Sequence, residues 1–144
     1  MKILVLNGPN LSRLDIRDSS IYGDLNYSQL QALVTTRGHE LGFEVEFRQS
    51  DDEATIIKWL HEAADNNLPV IINPAAFTHY SYAIRDAAEL VKAPLIEVHL
   101  SNPMAREEFR HTSVISAVAN GTISGFGPNS YLLALNALHA LINK

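Results

Sequence analysis

An open α/β fold of three layers is what this sequence predicts, with five parallel strands in the order 2-1-3-4-5 and helices on both faces. Strand-like apolar runs alternate with helix-length amphipathic segments along the whole chain. Crossovers of that length join parallel strands, because antiparallel neighbours need only a short hairpin. The first strand, Lys2 to Asn7, is apolar almost throughout, as expected when both of its faces are covered.

Each element has a local reason. A long loop, Gly8 to about Asn26, follows the first strand. Helix one runs from about Tyr27 to Leu41, with Leu30, Leu33, Val34 and Leu41 on one stripe, and Asn26 with Gln29 resembles a capping box. Phe43 to Gln49 is the second strand. Ser50 with Glu53 offers another capping pair, opening a helix in which Ile56, Ile57, Leu60, Ala63 and Ala64 repeat at helical spacing. Pro69 to Asn73 is the third strand, ended by Pro74. A helix over Ser81 to Val91 precedes Pro94, and Leu95 to Leu100 is the fourth strand. The fifth falls near Asn120 to Gly125. A last helix, Asn129 to Ile142, is buried along Leu132, Leu135, Leu138 and Ile142. No repeat, low-complexity tract or linker interrupts residues 1–144, so one domain is expected, and five strands in this alternation favour the flavodoxin-like order.

Composition narrows the function classes. At 144 residues, 47% hydrophobic, the chain is long enough to bury a sizeable core. It has no cysteine, so neither a disulfide framework nor a thiolate metal site is available. The apolar run at Met1 to Asn7 is too short for a signal peptide, and no segment reaches bilayer-spanning length. A soluble, cytoplasmic protein without membrane partners is the expectation. A net charge of −5 argues against a nucleic-acid partner, so an anionic ligand would need a local cluster of arginines.

Ligands of open parallel sheets bind at the carboxyl ends of the strands. Those ends carry Asn7-Gly8-Pro9-Asn10, Gln49-Ser50, Asn73-Pro74, His99 to Asn102 and Gly125-Phe126-Gly127. The fourth strand is the most informative. Strand alternation puts Glu97, His99 and Ser101 on one face and Ile96, Val98 and Leu100 on the other. A buried carboxylate beside an imidazole is either a proton-transfer pair or a satisfied core histidine. The loop after the first strand, with a lid expected over about residues 11–24, holds Arg13, Arg17 and Tyr22. At an ordinary pKa of about 10, only roughly one tyrosine in a thousand is ionised at neutral pH, and adjacent guanidinium groups would favour the phenolate base. Lys2, Lys58, Lys92 and Lys144 lie at termini or on helices, which argues against imine chemistry. His79, His99 and His111 lack paired zinc spacing, so neither metal nor cofactor is expected.

Six ordered motifs give the chain its resemblance to the type II dehydroquinases, over essentially its whole length. They are Asn7-Gly8-Pro9-Asn10-Leu11; Arg17 with Tyr22-Gly23; Gln49-Ser50 with Glu53; Ile72-Asn73-Pro74 with Thr78-His79 and Arg85-Asp86; Glu97-Val98-His99-Leu100-Ser101-Asn102; and Ala105-Arg106-Glu107-Glu108-Phe109-Arg110-His111. The resemblance implies dehydration of 3-dehydroquinate to 3-dehydroshikimate through an enolate, without a Schiff base. It implies Tyr22 as base, with Arg17 and Arg110 supplying positive charge. Asn10 would hold the water that stabilises the enolate, and His99 would be the acid, oriented by Glu97. The amides of Leu100 and Ser101 would take the substrate carboxylate, and Asn73, His79 and Arg110 its hydroxyls. Asp86 would reach a neighbouring subunit of a homo-oligomer, a dodecamer built of trimers, and Arg106 would support the lid.

Some positions depart from the family pattern. Asp15 stands at a common glycine, Asp18-Ser19 at Glu-Pro, Asp51-Asp52 at Asn-His, and Ala75 and Phe77 at glycine and tyrosine. A carboxylate added near Arg17 is expected to compete for it. Biosynthetic and quinate-breakdown roles use the same chemical step, so both stay open. A non-catalytic flavodoxin-like binding domain is the rival class. It would favour acidic residues after strands one and three, where Asn7 and Asn73 stand, or a phosphate loop without Pro9.

Overall fold

Apolar alternation resolves into five strands and five α-helices in a computed structural model that describes residues 1–144. The strands β1 (Lys2–Asn7), β2 (Glu44–Gln49), β3 (Val70–Asn73), β4 (Leu95–His99) and β5 (Gly121–Ser124) form one parallel sheet, ordered β2-β1-β3-β4-β5. The flavodoxin-like order holds. The helices are α1 (Ser19–Tyr22), α2 (Tyr27–Glu40), α3 (Glu53–Asn66), α4 (Tyr82–Glu89) and α5 (Asn129–Ile142).

Alternate residues of each strand serve opposite layers. Ile3, Val5, Ile71, Ile96 and Val98 pack with Leu30 and Val34 of α2 and Leu135 and Leu138 of α5. Leu4, Leu6, Val70, Ile72 and Leu95 pack with Ile56 and Leu60 of α3 and Ile84 and Ala87 of α4. Each such buried side chain contributes about 1.5–3 kcal/mol of transfer free energy, which fixes the strands that carry the site. No helix is long and apolar enough to cross a membrane.

The α2 capping box forms as predicted: Asn26 Oδ1 accepts from the Gln29 amide, and Gln29 Oε1 from the Asn26 amide. Leu33, predicted on the buried stripe of this helix, is only half-buried. The Ser50–Glu53 capping pair does not form. Asp52 caps α3 through the Ala54 amide, while Glu53 instead accepts from Ser81, the N-cap of α4. The loop after β1 is not structureless either. It holds a 3-10 turn, Leu11–Ile16, whose Leu11 and Leu14 enter the core beside α2, and then α1.

Register keeps the carboxyl ends of the central strands level, with Asn7 opposite Gln49 on one side and Asn73 on the other. The Gly8 amide donates to the Asn73 carbonyl at 2.8 Å. A Cβ on Gly8 would lie 2.5 Å from the Pro74 carbonyl oxygen, so the chain there passes too close for any side chain.

Candidate active site

The alternation of β4 sets Glu97 beside His99. Glu97 is fully buried, and its Oε2 lies 2.5 Å from His99 Nε2. Thr78 Oγ1 donates to the same oxygen at 2.5 Å and Ser116 Oγ to Oε1 at 2.7 Å, while Ser113 Oγ stands 3.0 Å from both. Burial alone would push this carboxyl up. The imidazole and the hydroxyls outweigh it and hold the group below the ordinary glutamate range.

In front of His99 lies a cavity with about 380 Å³ of non-atom space, part of it open to solvent. Its wall includes Arg17, Tyr22, Asn73, His79, His99, Leu100, Ser101, Arg106 and Arg110. Arg106 Nη2 donates to the Tyr22 hydroxyl oxygen at 2.6 Å, and Nη1 to Ser101 Oγ at 3.2 Å. The Arg17 guanidinium stacks on the Tyr22 ring, 3.5 Å from its centre. Gly23 ends α1 directly after Tyr22 with φ of 90°, its amide bonding back to Ser19, so the tyrosine is delivered by a tight turn. Burial lowers the Arg17 pKa, contact with Tyr22 opposes that, and Arg106 and Arg110 add repulsion. Three guanidinium groups and no carboxylate or lysine line the wall. The buried Arg106 Nε has no hydrogen-bond partner.

The polar groups around the cavity have fixed directions. The amides of Leu100 and Ser101 donate to nothing in the chain, although both residues are buried. Two such unfilled donors among arginines suit a carboxylate. Asn7 Nδ2 donates to the Arg48 carbonyl, so Asn7 Oδ1 accepts from the buried Tyr131 hydroxyl at 2.6 Å. Tyr131 in turn accepts from Asn73 Nδ2 at 2.9 Å, and Asn73 Oδ1 accepts from the Ala75 amide. Asn73 thus has one N–H left to offer. The Thr112 carbonyl accepts from His79 Nδ1 at 2.8 Å, and burial lowers the pKa of this ring, leaving Nε2 as an acceptor at neutral pH. Burial pushes the Tyr131 hydroxyl well up, so it stays neutral.

Most of the predicted residues meet here. Tyr22, Arg17, His99, Asn73, His79, Leu100, Ser101 and Arg110 line the cavity, with Glu97 directly behind His99. Asn10 does not line it. This residue is exposed with φ of 69°, and its amide donates to Asp51. Asp86 is exposed on α4 and is also absent from the wall. Asn7 and Gln49 support the strand ends rather than face the cavity. The expected competition for Arg17 does not occur, because Asp15 pairs with Arg13 and Asp18 caps α1 through Ser20. Sequence reasoning gave Arg106 only a supporting place, yet it is the direct partner of the Tyr22 hydroxyl. It also passed over Ser113 and Ser116. Their one signal is a run of hydroxyls after His111, which reads as loop. No three His, Asp or Glu side chains gather as metal ligands do.

A catalyst acting on a small molecule is the class this arrangement defines, since a cavity walled by positive charge faces an imidazole backed by a carboxylate. The pattern of one family, Dehydroquinase class II, matches residues 1–139. A 3-dehydroquinate dehydratase of Salinispora tropica is 56% identical over 140 residues, which is 97% of this chain and 98% of that protein. That of Caldicellulosiruptor bescii is 52% identical over 143 residues, 99% of each. The crystal structure of the type II dehydroquinase from Propionibacterium acnes has a TM-score of 0.94 at 53% identity, covering 96% of both chains. This chain belongs to the class II dehydroquinase family, and it is a hydro-lyase.

Proposed function

We propose that the chain eliminates water from 3-dehydroquinate to give 3-dehydroshikimate, with Tyr22 as base and His99 as acid, in the shikimate route to aromatic amino acids. The observation that carries this reading is the Tyr22 hydroxyl held by Arg106 at 2.6 Å in the same cavity as His99. As phenolate, Tyr22 would take a proton from the carbon beside the ketone, leaving an enolate. The C–O bond of the tertiary hydroxyl then breaks as His99 supplies its proton, and water departs. Arg106 and Arg17 hold the negative phenolate oxygen and ring. A water held by Asn10 would meet the enolate oxygen; Asn10 is exposed outside the cavity wall, so this role needs the loop to move inward.

The substrate carboxylate fits the free amides of Leu100 and Ser101. One hydroxyl can accept from Asn73 and donate to His79 Nε2, with Arg110 beside them. No lysine lines the wall, which supports an enolate over an imine. Asp86, exposed away from its own cavity, would serve a neighbouring copy in a trimer-based dodecamer.

Adding 3-dehydroquinate should raise the ultraviolet absorbance of the conjugated enone, and the rate should survive both borohydride and chelator. A folded protein giving no absorbance change would favour a binding domain. Loss of rate in borohydride would favour an imine.

A further inference from the structure

Behind His99 the chain has assembled three hydroxyls around one buried carboxylate. We propose that Thr78, Ser113 and Ser116 are positioning residues that fill the acceptor sites of Glu97, hold it as the anion, commit His99 Nε2–H to it, and leave Nδ1 as the atom that delivers the proton to the departing hydroxyl. This deepens the proposed elimination and rests on it for its kinetic consequence, but not for the state of the ring.

Ser113 Oγ accepts the amides of Ile115 and Ser116, both at 3.1 Å, so its lone pairs are taken and its one proton must be donated. Its targets are the two Glu97 oxygens at 3.0 Å and Thr78 Oγ1 at 2.8 Å. Thr78 Oγ1 is 2.5 Å from Glu97 Oε2, and Ser116 Oγ is 2.7 Å from Oε1. Ser116 also accepts from Thr122, which turns its own proton toward the carboxylate. Thr78 and Ser116 therefore donate to Glu97, Ser113 donates to it directly or through Thr78, and a protonated Glu97 would have to aim its own O–H into a ring of donors. Only the carboxylate fits. An acceptor-only carboxylate 2.5 Å from Nε2 requires a proton on that nitrogen whether the ring is neutral or cationic. Turning the ring over would exchange Nε2 for a carbon, so the assignment of the nitrogen does not depend on ring orientation. The proton that comes and goes is then on Nδ1.

The other charged and titratable groups around His99 cannot substitute for the hydroxyls. His79 comes from the 3-10 turn Ala75–His79, and Arg106, Arg110 and His111 from the segment after β4. Arg17 and Tyr22 share the cavity in front. Glu97 is the one carboxylate among them, and it makes no hydrogen bond to an arginine. Its charge is therefore stabilised by hydroxyls and by His99.

The test is a nitrogen-15 NMR titration of histidine-labelled protein, with His99 assigned by loss of its signals in His99→Asn. As pH rises, the His99 proton should leave Nδ1 while Nε2 stays protonated. In the double variant Thr78→Val/Ser113→Ala the neutral ring should become a mixture of tautomers. Its kcat should fall about 10- to 100-fold with KM little changed, because none of these hydroxyls lines the cavity in front of His99. Ser113→Thr alone, which keeps the donor, should leave both readouts as in the unmodified protein. If the double variant fails to fold, Ser116→Ala leaves the Ser113 amide contacts intact and should give smaller changes of the same sign. A wild-type ring that loses its proton from Nε2 would overturn the proposal, and so would a variant with unchanged tautomer and kcat. A protein that turns over no dehydroquinate would sink the enzymatic reading alone, since the ring titration decides the hydroxyl cradle by itself.

Discussion

Arg106 donates its Nη2–H to the Tyr22 hydroxyl oxygen at 2.6 Å, joining residues 84 positions apart in the chain. With the Arg17 guanidinium 3.5 Å from the same ring's centre, one phenol has a cation at its edge and another on its face. The fully buried phenol, Tyr131, has amide partners and no cation.

Tyr22→Phe keeps the ring that Arg17 covers and removes the oxygen. Turnover should fall by about 10²–10⁴-fold while calorimetry still detects substrate binding. Near-normal turnover would remove the tyrosine from the mechanism.

The two arginines act on Tyr22 differently, so their replacements should separate. Arg106→Gln retains a donor but loses the charge, and Arg17→Ala uncovers the ring. Each should move the rising limb of the pH–rate profile to higher pH, Arg106→Gln by more. A profile that scales down without moving would mean that the arginines only bind substrate.

Glu97 predicts an acid-labile fold. Burial opposes its ionisation, but His99 and the hydroxyls win, so its folded pKa lies below the unfolded value of 4.5. The unfolded chain then binds the proton first as pH drops. The resulting stability is complete above the unfolded pKa and is lost as pH falls through the lower folded one. Urea unfolding from pH 7 to about 3 should show that loss, and Glu97→Gln should flatten it. Parallel curves for the two proteins would contradict the assignment.

Ala75 adopts φ of 53°, a left-handed conformation that costs a non-glycine residue roughly 1–2 kcal/mol. Glycine, which commonly stands here in the family, pays about 0.5–1 kcal/mol in chain entropy. Ala75→Gly should therefore raise the melting temperature by about 1–4 °C. A lower one would mean that the alanine methyl contributes more packing than the strain removes.

Tyr131→Phe strands Asn7 Oδ1 and removes an acceptor from Asn73. At about 1–3 kcal/mol per orphaned buried group, denaturant midpoints should fall clearly. KM should rise more than kcat falls, because Asn73 is then held through its Oδ1 alone. Equal changes in both would break the link between Tyr131 and substrate binding.

Local rules made much of this legible. The capping box at Asn26 and Gln29 lies within four residues, and the bounds of α5 follow from its own periodicity. Strand alternation alone put Glu97 beside His99. Failures came where a side chain had two uses. Glu53 looked like a capping residue, but its carboxylate serves Ser81, 28 positions away. Asp15 and Asp18 looked like rivals for Arg17, but nearer partners satisfy them first. Two arginines four residues apart gave no sign of which faces the phenol, since that depends on how the loop after β4 folds over the cavity.

The narrow gap at Gly8 fixes the start of the neighbouring loop against the strand tips. That residue is tied to Asn73 through its amide and to Gln49 through its carbonyl, and the Pro74 backbone presses on it from the side. Leu11 and Leu14 are likewise held in the core, so the part of the loop free of these anchors is the stretch after Leu14 that carries Arg17 and Tyr22. A methyl group at position 8 would wedge β1 from β3 and pull Asn7 away from Asn73. The hydroxyl that bridges them would lose one side of its grip, and damage at the floor would be felt first as poor aim of the amide above it.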